Sequence, residues 1–130
     1  MEMYKGRQFF PCVHDENQQM TYCIGGFSTS EGALEAVERY SYDKKEWELV
    51  ASMNSKRLNC SACMVGKNHI FVFGGRTEEN FFDSVERLNI ELNLWNLLKI
   101  RLPVKLCNTF SFTFNKSNIL IMGGLRKYTG

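Results

Sequence analysis

The doublet Gly-Gly occurs three times, at 25–26, 74–75 and 123–124, with a spacing of 49 residues between successive copies. A unit of that length returning in phase must build a structural unit whose copies stack on one another, which excludes most single-core folds at once. Val37-Glu38-Arg39 returns as Val85-Glu86-Arg87 and Trp47 as Trp95, each 48 residues on. The disagreement of one residue locates the connections. Gly25 to Val37 is 12 residues against 11 from Gly74 to Val85, whereas Val to Trp is 10 in both copies. Paired strands resist changes of register and loops accept them, so the stretch of constant length is expected to be a hairpin and the variable stretches connections.

Each unit reads as four short strands. In the second, these are expected over 59–65, 69–73, 84–90 and 94–98, with a tight turn at Gly66-Lys67-Asn68 between the first two. The third unit repeats the opening pair as SFTFN and NILIMGG, and the first unit as QFFPCVH and QMTYCIGG, where Pro11 removes a ladder donor. Short apolar segments at even spacing between Gly- and Asn-rich turns argue for an antiparallel all-β chain. Residues 31–42, EGALEAVERYSY, compete with helical composition and with Leu34 and Val37 at helical spacing. Their alignment with FDSVERLNI, richer in β-branched and aromatic residues, predicts strand for the later half.

A unit near 50 residues with Gly-Gly and a downstream Trp resembles the kelch motif, one four-stranded blade of a β-propeller. Further motif positions are Arg7 and Arg57, with Lys105 in the third unit, and a Tyr seven residues before Trp, which is Tyr40 in the first unit and Leu88 in the second. The resemblance implies antiparallel four-stranded kelch blades forming an incomplete propeller arc, with repeats over about 7–52, 57–100 and a truncated 105–130. Gly25, Gly26, Gly74, Gly75, Gly123, Gly124, Tyr40, Trp47 and Trp95 are then structural: the glycines serve strand exits, and the tryptophans pack between neighbouring blades. Glu38-Arg39 and Glu86-Arg87 are expected as paired charges on an exposed or inter-blade face. An open arc leaves an apolar flank at each end, so the expectation is a piece of a longer kelch protein, or a chain that associates with itself.

The resemblance also implies a function. Kelch propellers dock partner proteins on the loops between second and third strands and between fourth and first strands, here 27–36, 76–83, 125–130, 51–58 and 99–106. The candidate partner-binding residues on them are Arg57, Arg76, Glu78, Asn80, Phe82, Arg101 and Arg126, with Lys56, Glu79 and Phe81 beside them. Arg and aromatic side chains are the usual energetic centres of interfaces, although any one of these charges also fits a solvated loop tip. The expected role is a non-catalytic protein-interaction module, either the substrate-recognition part of a ubiquitin ligase adaptor or an actin-associated scaffold. A copper radical oxidase of related fold needs a Tyr, His and Tyr-Cys constellation, which a chain with two histidines, His14 and His69, supplies poorly.

Composition narrows the rest. Sixteen basic against fourteen acidic residues leave a formal charge of +2, scattered singly, which argues against nucleic acid as a partner. No apolar run nears the length of a membrane span, and MEMYKGRQFF shows no signal-peptide pattern, so the expected location is cytoplasmic. The five cysteines, Cys12, Cys23, Cys60, Cys63 and Cys107, are odd in number and lie in apolar segments, which predicts reduced, buried thiols. Cys60-Ser-Ala-Cys63 has neither a second CxxC nor a His pair at zinc-site distance, and its two side chains point to opposite faces of a strand. No GxSxG, HExxH, P-loop or GxGxxG occurs, and no cofactor is expected.

Overall fold

The computed structural model describes residues 2–127 and contains strands and no helix among them. The first four-stranded sheet runs β1 (Cys12–Asp15), β2 (Met20–Ile24), β5 (Val37–Ser41), β6 (Glu46–Val50) from one edge to the other. A small hairpin, β3 (Phe27–Ser28) with β4 (Gly32–Ala33), sits in its 27–36 connection. The second sheet orders β7 (Ser61–Val65), β8 (His69–Phe73), β9 (Ser84–Asn89) and β10 (Leu94–Arg101) in the same way, and β11 (Cys107–Phe114) pairs with β12 (Asn118–Leu125). Every pairing is antiparallel.

The constant spacing is a register. Tyr40 faces Trp47 and Leu88 faces Trp95 as direct cross-strand partners, so the seven-residue interval is the length of one hairpin turn with its flanking positions. Left-handed residues at the same point of both turns, Lys45 and Asn93, close them. Several boundaries differ from expectation. Pro11 stands just before β1, which starts at Cys12 rather than Gln8; β7 starts at Ser61; and β10 extends to Arg101 through an irregularity, converting 99–101 from loop to strand. The helix-like stretch 31–42 contains β4, a connection and β5.

The sheets stack face to face. Tyr22, Ile24 and Val37 of the first sheet bury against Ile70, Val72, Leu88, Ile90 and Trp95 of the second. Cys63, Phe73 and Val85, on the opposite face of the second sheet, meet Ile119 and Ile121 of the third. Each fully buried large side chain contributes about 1.5–3 kcal/mol, so the second sheet, covered on both faces, carries most of the core. On the third sheet the positions matching Cys63, Phe71 and Phe73 are Phe112, Leu120 and Met122, and these are exposed together with Phe110 and Phe114.

The tryptophans have unequal fates. Trp95 lies between first and second sheets, and its indole Nε1 donates to Ala51 O at 2.8 Å. Trp47 is half-buried on the outward flank of the first sheet, edge-on to Tyr40 at 5.4 Å between ring centroids, rather than between two blades. Cys60 and Cys63 face different clusters, and burial pushes the Cys60 thiol up to about 12.

Candidate functional site

What places the loops is a buried ion pair repeated from blade to blade. Glu86, wholly buried on β9, accepts from Arg57 Nε at 3.0 Å and from the backbone N–H groups of Asn54 and Ser55 at 2.7 and 3.2 Å. Arg57 spends its remaining donors on Gly74 O at 2.7 Å, Ser84 O at 3.1 Å and Ser84 Oγ at 2.7 Å. Glu38 repeats the arrangement with Arg7 and the N–H groups of Tyr4 and Lys5. A carboxylate without these donors would be costly at that depth; with them it locks the incoming connection onto the sheet. The expected pairing within Glu38-Arg39 and Glu86-Arg87 is therefore corrected. Alternation along a strand sends neighbours to opposite faces, so Glu38 turns inward to Arg7 while Arg39 pairs with Glu48.

The glycine doublet completes the lock. Gly26 N–H donates to Arg57 O and Gly75 N–H to Leu106 O, both at 2.8 Å, so each doublet grips the chain entering the next blade. This register puts Leu106, not Lys105, at the third unit's counterpart of Arg57. Lys105 is exposed.

Held this way, loops 76–83 and 102–106 and the start of the segment after β12 line a cleft of about 440 Å³. One wall is Glu79, Asn80, Phe81 and Asp83, and the other is Val104, Lys105, Arg126 and Lys127. Thr77 and Asn80 close the first loop with two hydrogen bonds, Thr77 N–H to the Asn80 backbone O at 2.8 Å and Asn80 N–H to the Thr77 hydroxyl Oγ1 at 3.1 Å. Asp83 is paired with Arg101. Among the described residues, Lys105, Arg126 and Lys127 form no ion pair, which leaves the cleft with a surplus of positive charge.

The structure thus divides the candidate residues. Asn80 and Arg126 share the cleft, and Arg101 flanks it through Asp83. Arg76 lies half-buried behind Phe81, its guanidinium 5.5 Å from the ring centre. Glu78 is exposed but its Oε1 accepts the N–H of Ala33 at 2.9 Å, tying the second blade's loop to the first blade's. Arg57 is corrected: with no exposed surface it cannot touch a partner. Phe82 is half-buried with Arg57 5.3 Å from its ring centre, so it covers the ion pair rather than serving as an anchor. Of the expected 125–130 loop, residues 128–130 lie outside the described residues. The cleft residues that the sequence does not mark as partner-binding are Asp83, Val104, Lys105 and Lys127; the motif position expected at Lys105 belongs to Leu106. No group of three or more His, Cys, Asp or Glu that could hold a metal occurs among the described residues.

Comparison with known proteins fits this geometry. Residues 17–54 and 57–99, more than half of the chain, match the family model described as the kelch motif. Similar curated proteins include a RING finger domain and kelch repeat-containing protein of Dictyostelium discoideum, 24% identical over 95 residues, covering 72% of this chain and 9% of that protein. An N-acetylneuraminate epimerase of Vibrio vulnificus is 33% identical over 89 residues, 62% of this chain and 23% of the enzyme. Kelch-like protein 41a of Danio rerio is 31% identical over 78 residues, 60% of this chain and 13% of that protein. The chain spans less than a quarter of the length of each of these relatives.

Proposed function

The chain belongs to the kelch family, and from that premise we propose that it is a kelch-type protein-interaction module that takes up an acidic segment of a partner protein in the cleft beside Phe81. The observation that carries this reading is that Lys105, Arg126 and Lys127, which form no ion pair among the described residues and outnumber the acidic Glu79 and Asp83, line one cleft with the Phe81 ring, in a space sized for a few side chains. Cations at an interface speed encounter and select partner charge, and an aromatic ring supplies the apolar contact that holds the complex. We place the module further as the substrate-recognition part of a ubiquitin ligase adaptor, supported by the relative whose kelch repeats share a chain with a RING finger domain.

Selection of a random peptide library on the purified chain tests the binding reading. Enriched peptides are expected to carry Asp or Glu next to an apolar residue, and Lys105→Glu with Arg126→Glu to weaken them at least about tenfold, more so at low salt. Peptides without acidic residues, or binding unchanged by the double reversal, would overturn it. The adaptor reading has its own readout: a captured partner whose ubiquitylation and cellular level do not change on deletion of the chain refutes the adaptor role and leaves the cleft intact.

A further inference from the structure

The ladder between β1 and β2 places Cys12 directly opposite Cys23, with their Sγ atoms 3.7 Å apart. Neither is bonded to another cysteine; Cys12 is exposed and Cys23 is buried. The expectation of uniformly buried thiols therefore fails at Cys12. The repeat shows that the scaffold does not require thiols at this position, because the same rung is Ala62 opposite Val72 in the second sheet and Ser111 opposite Ile121 in the third. Directly paired residues of an antiparallel ladder have Cα atoms about 4.5–5.5 Å apart, inside the roughly 4.4–6.8 Å that a disulfide spans. Side-chain rotation alone closes the gap.

The surroundings assign different roles to the two sulfurs. Arg7, buried beside the rung with its guanidinium 3.5 Å from Cys23 O, places a fixed positive charge near both. A hydrogen bond from the Cys23 thiol, with the Arg7 charge, holds the Cys12 thiol at about 7, against burial, which opposes it. The same hydrogen bond and burial push Cys23 upward, so it keeps its proton. An exposed thiolate beside a protonated, sheltered thiol is the arrangement of an attacking and a resolving cysteine.

We propose that Cys12 and Cys23 form a redox-modification site that closes to a cross-strand disulfide on reaction with a hydroperoxide, Cys12 attacking and Cys23 resolving. The Cys12 thiol gives its proton to solvent, and the thiolate attacks one peroxide oxygen: the S–O bond forms, the O–O bond breaks, and the departing oxygen leaves as hydroxide or alkoxide, which takes up the proton that Cys12 released. Cys23 then loses its proton and attacks the Cys12 sulfur, forming the S–S bond and expelling hydroxide, which leaves with that proton as water. Two thiols give up two electrons and two protons, and hydrogen peroxide becomes two waters. The product fastens β1, the edge strand of its sheet, to β2.

The test is hydrogen peroxide on the purified reduced chain at pH 7, followed by alkylation in denaturant, non-reducing digestion and mass spectrometry. The expected product is a Cys12–Cys23 linked peptide pair two hydrogens lighter than the thiols. Cys23→Ser is expected to stop at a Cys12 sulfenic acid that dimedone traps, and Cys12→Ser to leave Cys23 alkylatable. Without peroxide, iodoacetamide is expected to label native Cys12 at least about tenfold faster than Cys60. Full recovery of both thiols after peroxide, a disulfide only between separate chains, or Cys12 labelled no faster than Cys60 would each overturn the proposal.

Discussion

Gly75 shows how one position answers to two constraints. Its φ is +91°, and a Cβ there would lie 2.8 Å from Cys60 Cβ and 2.9 Å from Leu58 O. Backbone strain and overpacking together predict that Gly75→Ala costs about 2–4 kcal/mol. Gly6, with no atom within 4 Å of its virtual Cβ and no positive φ, is the matched control, and Gly6→Ala is expected to be neutral or stabilising by up to about 1 kcal/mol. Urea melts of the two variants measure this, and equal midpoints would contradict the strand-exit role. The glycine requirement was legible in sequence because only glycine meets it at such regular spacing. The burial of Arg57 was not: an arginine in a connection reads as exposed, and its partner Glu86 stands 29 residues away.

Among the connections, 51–58 depends most on that ion pair. Glu86→Ala leaves the buried Arg57 guanidinium without its carboxylate and the backbone N–H groups of Asn54 and Ser55 without their acceptor, so a loss of about 3–5 kcal/mol is expected. In the third unit Leu106 stands at the place of Arg57, its backbone O accepting from Gly75 N–H as Arg57 O accepts from Gly26 N–H. The double variant Arg57→Leu with Glu86→Leu is therefore expected to lose less than the sum of the two single changes, a coupling that a double-mutant cycle of thermal or denaturant melts reads directly. Strict additivity would mean that the two side chains contribute independently. Hairpins were legible at this level because cross-strand partners such as Tyr40 and Trp47 are close in sequence. The cleft was not, because its walls come from loops about 25 to 45 residues apart that meet only once the sheets have stacked.

The three sheets form an arc whose third member turns Phe110, Phe112, Phe114, Leu120 and Met122 outward, while the matching face of its neighbour is covered. Apolar surface of that extent in contact with water drives association. Light scattering on purified residues 1–130 is expected to show a mass that rises with concentration, and Phe110→Lys with Phe112→Lys to hold the mass at that of the monomer. The same concentration dependence in both proteins would place the contact elsewhere. The amino-acid order alone established the all-β class, the blade period, the presence of the hairpins and the glycine positions, because each rests on residues near one another in the chain. Stacking established which charges are buried, which aromatic residues remain bare, where Lys105 stands and that Cys12 is exposed opposite Cys23. Burial is a property of what lies across the interface, and across these interfaces the neighbour is usually some 50 residues away, in the next turn of the repeat.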